Sequence, residues 1–205
     1  DTPDSGVCTQ CRPKLNYVKE PSCKKCGKPI GDERGEYCYD CREGRHSYAQ
    51  GKSVWVYQGE MKQSIYRFKD GGRREYAEFY AKESARLYGD WIKRKDIQAI
   101  IPIPIHRHKR YKRGYNQAEI YAKELGKQCG LPVDSKTLIR VVDTLPQKTL
   151  SDRERKNNLK KALKIGVDGV QWKRVLVVDD IYTTGSTVDA AAACLLYTSP
   201  SPRDS

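Results

Sequence analysis

One stretch near the carboxyl end of the chain, residues 175–187, constrains the fold more than any other. It reads Val-Leu-Val-Val-Asp-Asp-Ile-Tyr-Thr-Thr-Gly-Ser-Thr. A short, continuous run of β-branched and other apolar residues is typical of a buried parallel strand. Loops at the carboxyl ends of such strands carry the ligands of α/β sheets. The sequence therefore predicts an α/β fold in which a buried strand, a polar loop and a helix follow one another here.

The loop after this strand combines two carboxylates with hydroxyl side chains around one glycine. Backbone N–H groups at a helix N-terminus bind anions, and threonine and serine hydroxyls add further donors. Asp179 and Asp180 are suited to accept hydrogen bonds from the hydroxyls of a ribose. The arrangement indicates a site for a phosphate beside a sugar. The alternative is a strand followed by an ordinary capped helix, in which these polar side chains are turn residues.

The same thirteen residues resemble the signature loop of type I phosphoribosyltransferases, which binds phosphoribosyl pyrophosphate (PRPP). The resemblance implies a parallel sheet flanked by helices. It also implies that Asp179 and Asp180 hold the ribose 2′- and 3′-hydroxyls. The residues implied to surround the 5′-phosphate are Thr183, Thr184, Gly185, Ser186 and Thr187.

Six of the eight cysteines lie in the first 41 residues, as three Cys-x-x-Cys pairs. Such a pair places two thiolates on one tight turn, and two pairs complete a tetrahedral zinc site. We predict a structural zinc site formed by Cys23, Cys26, Cys38 and Cys41. We predict that the first pair, Cys8 and Cys11, is half of a second zinc site whose other half lies upstream of Asp1. Disulfides or a redox pair are the alternatives, although three successive pairs favour metal.

Residues 1–45 are therefore predicted to form a small zinc-ribbon module, and residues 53–193 the α/β domain. The spacing of apolar residues predicts the elements of that domain. Helices are predicted at residues 61–68, 73–91 and 117–128, and strands at residues 97–105, 138–142 and 163–165.

The composition changes abruptly after Ala193. Residues 194–205 contain two Ser-Pro dipeptides in succession, and proline ends helices while this composition is typical of disorder. The segment also resembles the translation of a sequencing-library adapter. We expect it to be an artefactual disordered tail, the α/β domain to be cut at its carboxyl end, and the zinc ribbon to be cut at its amino end.

The net charge of +13 indicates a polyanionic partner or substrate, with a solvated basic surface as the alternative. The basic residues cluster at residues 107–113 and 153–161. No apolar run approaches the length of about 20 residues that a membrane-spanning helix requires. The sequence therefore predicts no membrane insertion.

Several short motifs follow one another in order between residues 8 and 193. After the cysteine pairs come Tyr57-x-Gly59-x-Met61-Lys62, Phe68-Lys69, Ile103-Pro104, Arg110-x-x-Arg113-Gly114-Tyr115-Asn116-Gln117, Gln147 and Arg155-x-x-Asn158. Together with the PRPP-type loop, they resemble the ComF family of competence-associated, phosphoribosyltransferase-like proteins. The resemblance implies a cytoplasmic bacterial protein linked to natural transformation, to incoming single-stranded DNA and to DNA-uptake proteins.

If the protein is a transferase, PRPP is expected to bind with Mg²⁺. Its pyrophosphate would lie against the loop made by Pro104, Ile105, His106 and Arg107. A loop near residues 147–158 would close over the site, so that Arg153 or Arg155 neutralises charge on the departing pyrophosphate. Candidates for contacts with phosphate or nucleic acid are Arg110, Arg113, Tyr115, Asn116, Gln117, Gln147 and Asn158.

Two classes of function remain open at this point. One is a transferase acting from PRPP, in DNA uptake or in nucleotide salvage. The other is a non-catalytic protein that binds single-stranded DNA and retains a degenerate PRPP pocket, with Tyr111 and Tyr115 stacking on bases. The acceptor and the oligomeric state are not determined by the sequence.

Overall fold

The computed structural model describes residues 6–31, 34–44, 46–142 and 162–197, which form a mixed α/β fold. The predicted fold class is therefore confirmed. The helices are α1 (Tyr39–Glu43), α2 (Gly59–Lys69), α3 (Tyr76–Arg94), α4 (Arg107–Arg113), α5 (Gln117–Cys129) and α6 (Ser186–Tyr197), and a 3₁₀ turn covers Arg12–Lys14. The strands are β1 (Ala99–Pro102), β2 (Leu138–Arg140), β3 (Leu163–Ile165) and β4 (Val175–Val178).

The central pair of strands is parallel, with Ala99 of β1 opposite Val175 of β4 and Pro102 opposite Val178. The predicted strand at residues 97–105 is shortened to β1, because Pro102 and Pro104 have no N–H to donate to a ladder. The strands β2 and β3 form a separate antiparallel pair. The prediction of a parallel sheet is therefore confirmed for β1 and β4 and does not extend to the second pair.

Both faces of the central pair are covered. Consecutive strand residues point to opposite faces, and the two buried isoleucines of β1 show this directly. Ile100 packs with residues of α3 and α5, whereas Ile101 packs with β2, β3 and α6. Each such side chain stabilises the fold by about 1.5–3 kcal/mol when it is fully buried.

The zinc-ribbon module packs against an aromatic cluster of the α/β domain, where the ring of Tyr17 lies 5.7 Å from the ring of Trp55. Trp55 lies 5.7 Å from the ring of Phe79 and 5.6 Å from the ring of Tyr80, both on α3. The backbone of the segment before Trp55 also pairs with the module, since the N–H of Val18 donates to the carbonyl of Val54 at 2.9 Å. Near the cysteine turns, the Nζ of Lys28 donates to the carbonyl of Thr183 in the loop after β4 at 3.0 Å.

The last helix continues past Ala193 to Tyr197, and Leu195 is buried in the core beside β3 and β4. Residues 194–197, predicted to belong to the disordered tail, thus form the last turn of α6, with Leu195 on its buried face and Leu196 and Tyr197 exposed. The rest of the predicted tail lies outside the described residues. Within the described part of the chain, no helix combines the length and the apolar character needed to cross a membrane.

Candidate functional site

The acidic pair predicted to bind ribose lies at the carboxyl end of the parallel strands. Asp179 and Asp180 directly follow β4, and the carbonyl of Val178 accepts a hydrogen bond from the N–H of Ile103 at 2.9 Å. Asp180 Oδ2 lies 2.7 Å from Nζ of Lys69, the last residue of α2, and its side chain is only 5% exposed. Lys69 belongs to the Phe68-Lys69 motif, but nothing in the sequence indicates that it is the partner of this acid.

The environment of Asp179 is less favourable for a negative charge than that of Asp180. Its Oδ1 accepts a hydrogen bond from the backbone N–H of Asp180 at 2.9 Å. Burial, together with the adjacent negative charge of Asp180, raises the pKa of Asp179 well above its ordinary value. The site therefore favours a ligand that places hydrogen-bond donors or positive charge against this carboxyl group.

The hydroxyl-bearing loop runs from Thr183 to the start of α6. Thr183 and Thr184 are exposed, and Oγ1 of Thr184 lies 2.8 Å from Oγ of Ser186. Gly185 is buried and has a φ of +80°, and a Cβ atom there would collide with the phenol ring of Tyr182. Only glycine fits this turn, because it tolerates positive φ and the close approach of Tyr182.

The loop predicted to bind pyrophosphate lies at the same edge of the sheet. Pro104, Ile105 and His106 follow β1, which runs parallel to β4, so both loops leave the sheet in the same direction. His106 is the N-cap of α4, where its Nδ1 accepts from the N–H of His108 at 3.3 Å. Arg107, predicted to lie in the pyrophosphate loop, begins this helix, which contains the basic cluster at residues 107–113.

Three residues of the Arg-Gly-Tyr-Asn-Gln motif are buried. Tyr115 Oη donates to the carbonyl of Phe68, so the ring lies inside the domain and presents no free face to a base. Asn116 Nδ2 donates to the carbonyl of Ile103 at 3.0 Å, and its Oδ1 caps α5 by accepting from the N–H of Ala118 at 3.1 Å. These side chains position the loop after β1.

The two arginines of this motif differ in exposure. Arg113 donates to Oε1 of Gln117 at 2.7 Å and to Oδ1 of Asp70 at 3.0 Å, so its guanidinium joins three elements of the domain. Arg110 lies 3.2 Å from Glu119, and its side chain is 59% exposed. The predicted candidates Gln147, Arg153, Arg155 and Asn158 lie outside the described residues.

A cavity of about 330 Å³ adjoins the acidic pair. Both carboxylates contribute to its wall, and most of the remaining wall is aromatic or aliphatic. The other lining residues include Lys28, Trp55, Phe68, Tyr80 and Tyr182. A polar edge beside an apolar volume of this kind is typical of small-molecule sites.

The second candidate site is the cysteine cluster. The sulfur atoms of Cys23, Cys26, Cys38 and Cys41 all lie within 4.8 Å of one another, and the first two residues are buried. Cys26 and Cys38 have their sulfurs 3.7 Å apart. A tetrahedron of thiolates about 2.3 Å from zinc has sulfur–sulfur edges of about 3.8 Å, so the cluster fits zinc.

The turn between Cys23 and Cys26 depends on the glycine that follows it. The N–H of Gly27 donates to the carbonyl of Cys23 at 2.8 Å, with a φ of +76° at Gly27. A closed set of four thiolates leaves no open position, so the predicted structural role of zinc is supported. Cys8 and Cys11 lie on a separate turn, and the second zinc site stays a prediction.

Comparison with known proteins agrees with the zinc site. Residues 1–42 match the family model described as a double zinc ribbon domain. The chain is 30% identical over 196 residues to "DNA utilization protein YhgH" of Salmonella typhi, covering 93% of this chain and 84% of the relative. It is 28% identical over 205 residues to "Competence protein ComFC" of Bacillus subtilis, covering 95% and 79%.

A third relative is "Competence protein F" of Haemophilus influenzae, 27% identical over 200 residues that cover 93% of this chain and 84% of the relative. No solved structure shows a significant match to the chain. The relatives align over nearly the whole chain, in agreement with the order of motifs along it. On this evidence the chain belongs to the ComF family.

Proposed function

We propose that this protein binds PRPP or a related ribose phosphate, together with Mg²⁺, at residues 179–187. The observation that carries the proposal is the position of the acidic pair and the hydroxyl-bearing loop at the carboxyl end of β4. Ligands bind outside the carboxyl ends of strands in open α/β sheets. The loop after β1 lies at the same edge and is the proposed neighbour of the pyrophosphate.

The chemistry of the site supports a sugar phosphate over an inorganic anion. A phosphate alone would be repelled by two adjacent carboxylates, whereas ribose hydroxyls donate hydrogen bonds to them. Thr183 and Thr184 are exposed where a phosphate at the start of α6 would meet hydroxyl and N–H donors. Magnesium would neutralise charge between the pyrophosphate and the ribose oxygens.

The proposal concerns binding, and transfer to an acceptor stays a prediction. His106 is a candidate base among the described residues, and its Nδ1 already accepts a hydrogen bond within α4. The residues present therefore support positioning and charge stabilisation better than general base catalysis. From the names of the relatives, we further propose a role in the uptake or use of DNA, in the cytoplasm.

Calorimetric titration with PRPP, with and without Mg²⁺, tests this function on the full-length protein. We expect saturable binding that requires Mg²⁺ and is weakened at least tenfold by Gly185→Ala, because the new Cβ would collide with Tyr182. Gly130→Ala is a matched control. Gly130 also has positive φ, at +67°, but nothing lies within 4 Å of its Cβ position.

The Gly130→Ala control separates the effect of backbone strain from the effect of a disrupted PRPP site. Both substitutions carry a cost of about 1 kcal/mol for an alanine at positive φ, so only Gly185→Ala should change affinity. Absence of PRPP binding by the wild-type protein would exclude the proposed function. Equal loss of affinity in both variants would instead assign the effect to general destabilisation.

A second candidate function, binding of single-stranded DNA, is supported by α4. Tyr111 in this helix is 91% exposed, and it lies between Arg110 and Lys112, which are also exposed. Exposed aromatic rings beside basic side chains stack on the bases of single strands while the cations contact phosphates. The described structure thus favours Tyr111 over the buried Tyr115 as the stacking residue.

We predict that Tyr111→Ala lowers affinity for a short single-stranded oligonucleotide about 5- to 150-fold, since one base–aromatic stack contributes about 1–3 kcal/mol. Fluorescence anisotropy at several salt concentrations measures this. Tyr66→Ala is the control, because Tyr66 is also an exposed tyrosine but lies on α2. Equal affinities of the two variants, or binding that is insensitive to salt, would contradict a DNA site on α4.

A further inference from the structure

Lys28 joins the zinc-ribbon module to the proposed phosphate loop. It lies two residues after the zinc-site residue Cys26, and its Nζ donates to the carbonyl of Thr183 at 3.0 Å. The same Nζ lies 2.5 Å from Oδ2 of Asp40, which is located between Cys38 and Cys41. The Lys28 side chain therefore links the Cys23–Cys26 turn, which it follows in the chain, to the Cys38–Cys41 turn and to the backbone of the loop.

Two further contacts reach the same loop from Ser47 and Tyr48, directly after the module, where the Nζ of Lys25 lies 5.3 Å from the centre of the Tyr48 ring. The hydroxyl of Tyr48 lies 2.7 Å from the hydroxyl of Tyr182, whose ring lies against Gly185. The N–H of Ser47 donates to the carboxylate of Asp189 in the first turn of α6. The three contacts thus reach the carbonyl of Thr183, the hydroxyl of Tyr182 and the start of α6.

These contacts determine how well ordered the loop is in the absence of ligand. Thr183 and Thr184 are exposed and have little apolar burial of their own. Exposed segments with few buried contacts open at low free-energy cost, and a loop that must be ordered on binding lowers the apparent affinity. Hydrogen bonds from a folded module reduce that cost in advance.

We infer that the zinc ribbon forms one wall of the ribose-phosphate site, with Lys28 as a positioning residue, and that zinc binding and ligand binding are coupled. The inference rests on the proposed function for its ligand. Zinc fixes the turns that carry Lys28 and Asp40, and these position Thr183. Because coupling between two binding sites is reciprocal, the ligand in turn increases the affinity for zinc.

The test compares Lys28→Met with Lys24→Met in the full-length, zinc-loaded protein. Lys24 lies in the same cysteine turn, but its side chain pairs with Glu36 instead of the loop. Hydrogen exchange of residues 180–189 without ligand, zinc content by mass spectrometry, and affinity for PRPP with Mg²⁺ are measured for each. We expect Lys28→Met to retain zinc, to lose loop protection and to weaken PRPP binding about fivefold or more.

Lys24→Met is expected to match wild type in all three measurements, and Lys28→Arg to recover part of the loop protection. Tyr48→Phe removes one hydroxyl from the loop contacts without altering a cysteine turn. It should reduce protection in the same direction even if Lys28→Met loses zinc. Unchanged loop exchange in both Lys28→Met and Tyr48→Phe would overturn the inference. Failure of the wild-type protein to bind PRPP would exclude the proposed function, while loop exchange would still report on Lys28.

Discussion

Replacement of Cys26 by serine should abolish zinc binding at the four-cysteine site and unfold the zinc-ribbon module. Cys26 is 1% exposed, and its sulfur lies within 4.8 Å of the other three sulfurs. In zinc-finger peptides, zinc contributes about 10–16 kcal/mol of apparent binding free energy, which is comparable to the whole stability of a typical domain. Zinc content by mass spectrometry and a thermal unfolding curve measure the effect.

Loss of the module should also be visible at Trp55. Gly27 has the backbone of Lys52 and Ser53 so close that a Cβ at Gly27 would lie 2.8 Å from each. Unfolding of the cysteine turns therefore releases the segment that holds Trp55 on α3. We expect the tryptophan fluorescence of the protein to shift to longer wavelength as the indole of Trp55 becomes hydrated.

Cys129→Ser is the matched control, since this cysteine lies at the end of α5, outside the cluster. The Cys129→Ser variant should keep its zinc and show the same tryptophan emission as the wild-type protein. Cys8→Ser should also keep the zinc of the four-cysteine site, because Cys8 lies on another turn. A Cys26→Ser protein with full zinc content and an unchanged unfolding temperature would contradict the assignment of the site.

The features that could be predicted from the sequence are those set by local patterns. The run of residues 175–178 is short and fully apolar, and it becomes β4, while the acids after it lie at the edge expected of a parallel strand. The spacing within each Cys-x-x-Cys pair fixes two sulfurs on one turn. Zinc ligands could therefore be selected from residue types and spacing alone.

The features that could not be predicted depend on contacts between distant residues. Nothing in the motif containing Tyr115 and Asn116 indicates which way these side chains point, and both are buried where contacts with nucleic acid were predicted. The pairing of Lys69 with Asp180 and of Lys28 with Thr183 requires the packing of α2 and of the zinc ribbon on the loop. Polar partners of this kind carry no periodic signal in the sequence.

The boundary of the last helix was wrong for a related reason. Proline at position 200 predicts the end of a helix, but it does not determine where the apolar face upstream of it stops packing. Leu195 is buried in the core beside β3 and β4 and extends the packed face beyond Ala193, whereas Leu196 and Tyr197 at the end of the helix are exposed.

Asp179→Asn should stabilise the free protein while weakening its binding of ribose phosphate. The asparagine keeps an Oδ1 that can accept from the N–H of Asp180, and it removes the repulsion between adjacent carboxylates. A hydrogen bond to a charged group contributes about 1.5–3 kcal/mol, so the affinity for PRPP should fall about 10- to 150-fold. Chemical denaturation and calorimetric titration measure the two effects.

The adjacent acid is the matched control. Asp180→Asn relieves the same repulsion but leaves Lys69 without the carboxylate that lies 2.7 Å from it. Leaving the Lys69 ammonium without its ion-pair partner costs about 1–3 kcal/mol, so Asp180→Asn should be less stable than Asp179→Asn by about that amount. Equal stabilities of the two variants would show that the environments of the two acids do not differ as described.

The direction in which the stability changes with pH distinguishes burial of the Asp179 charge from a general packing effect. The pKa of Asp179 is raised in the folded state, so between the unfolded and folded pKa values the folded protein binds more protons than the unfolded chain. Stability then falls as pH rises through this range. The stabilisation by Asp179→Asn should therefore be small near pH 4, close to the ordinary pKa of an aspartate, and should grow as pH rises until the folded pKa is passed. A stabilisation that is constant with pH would show that burial of the Asp179 charge is not its cause.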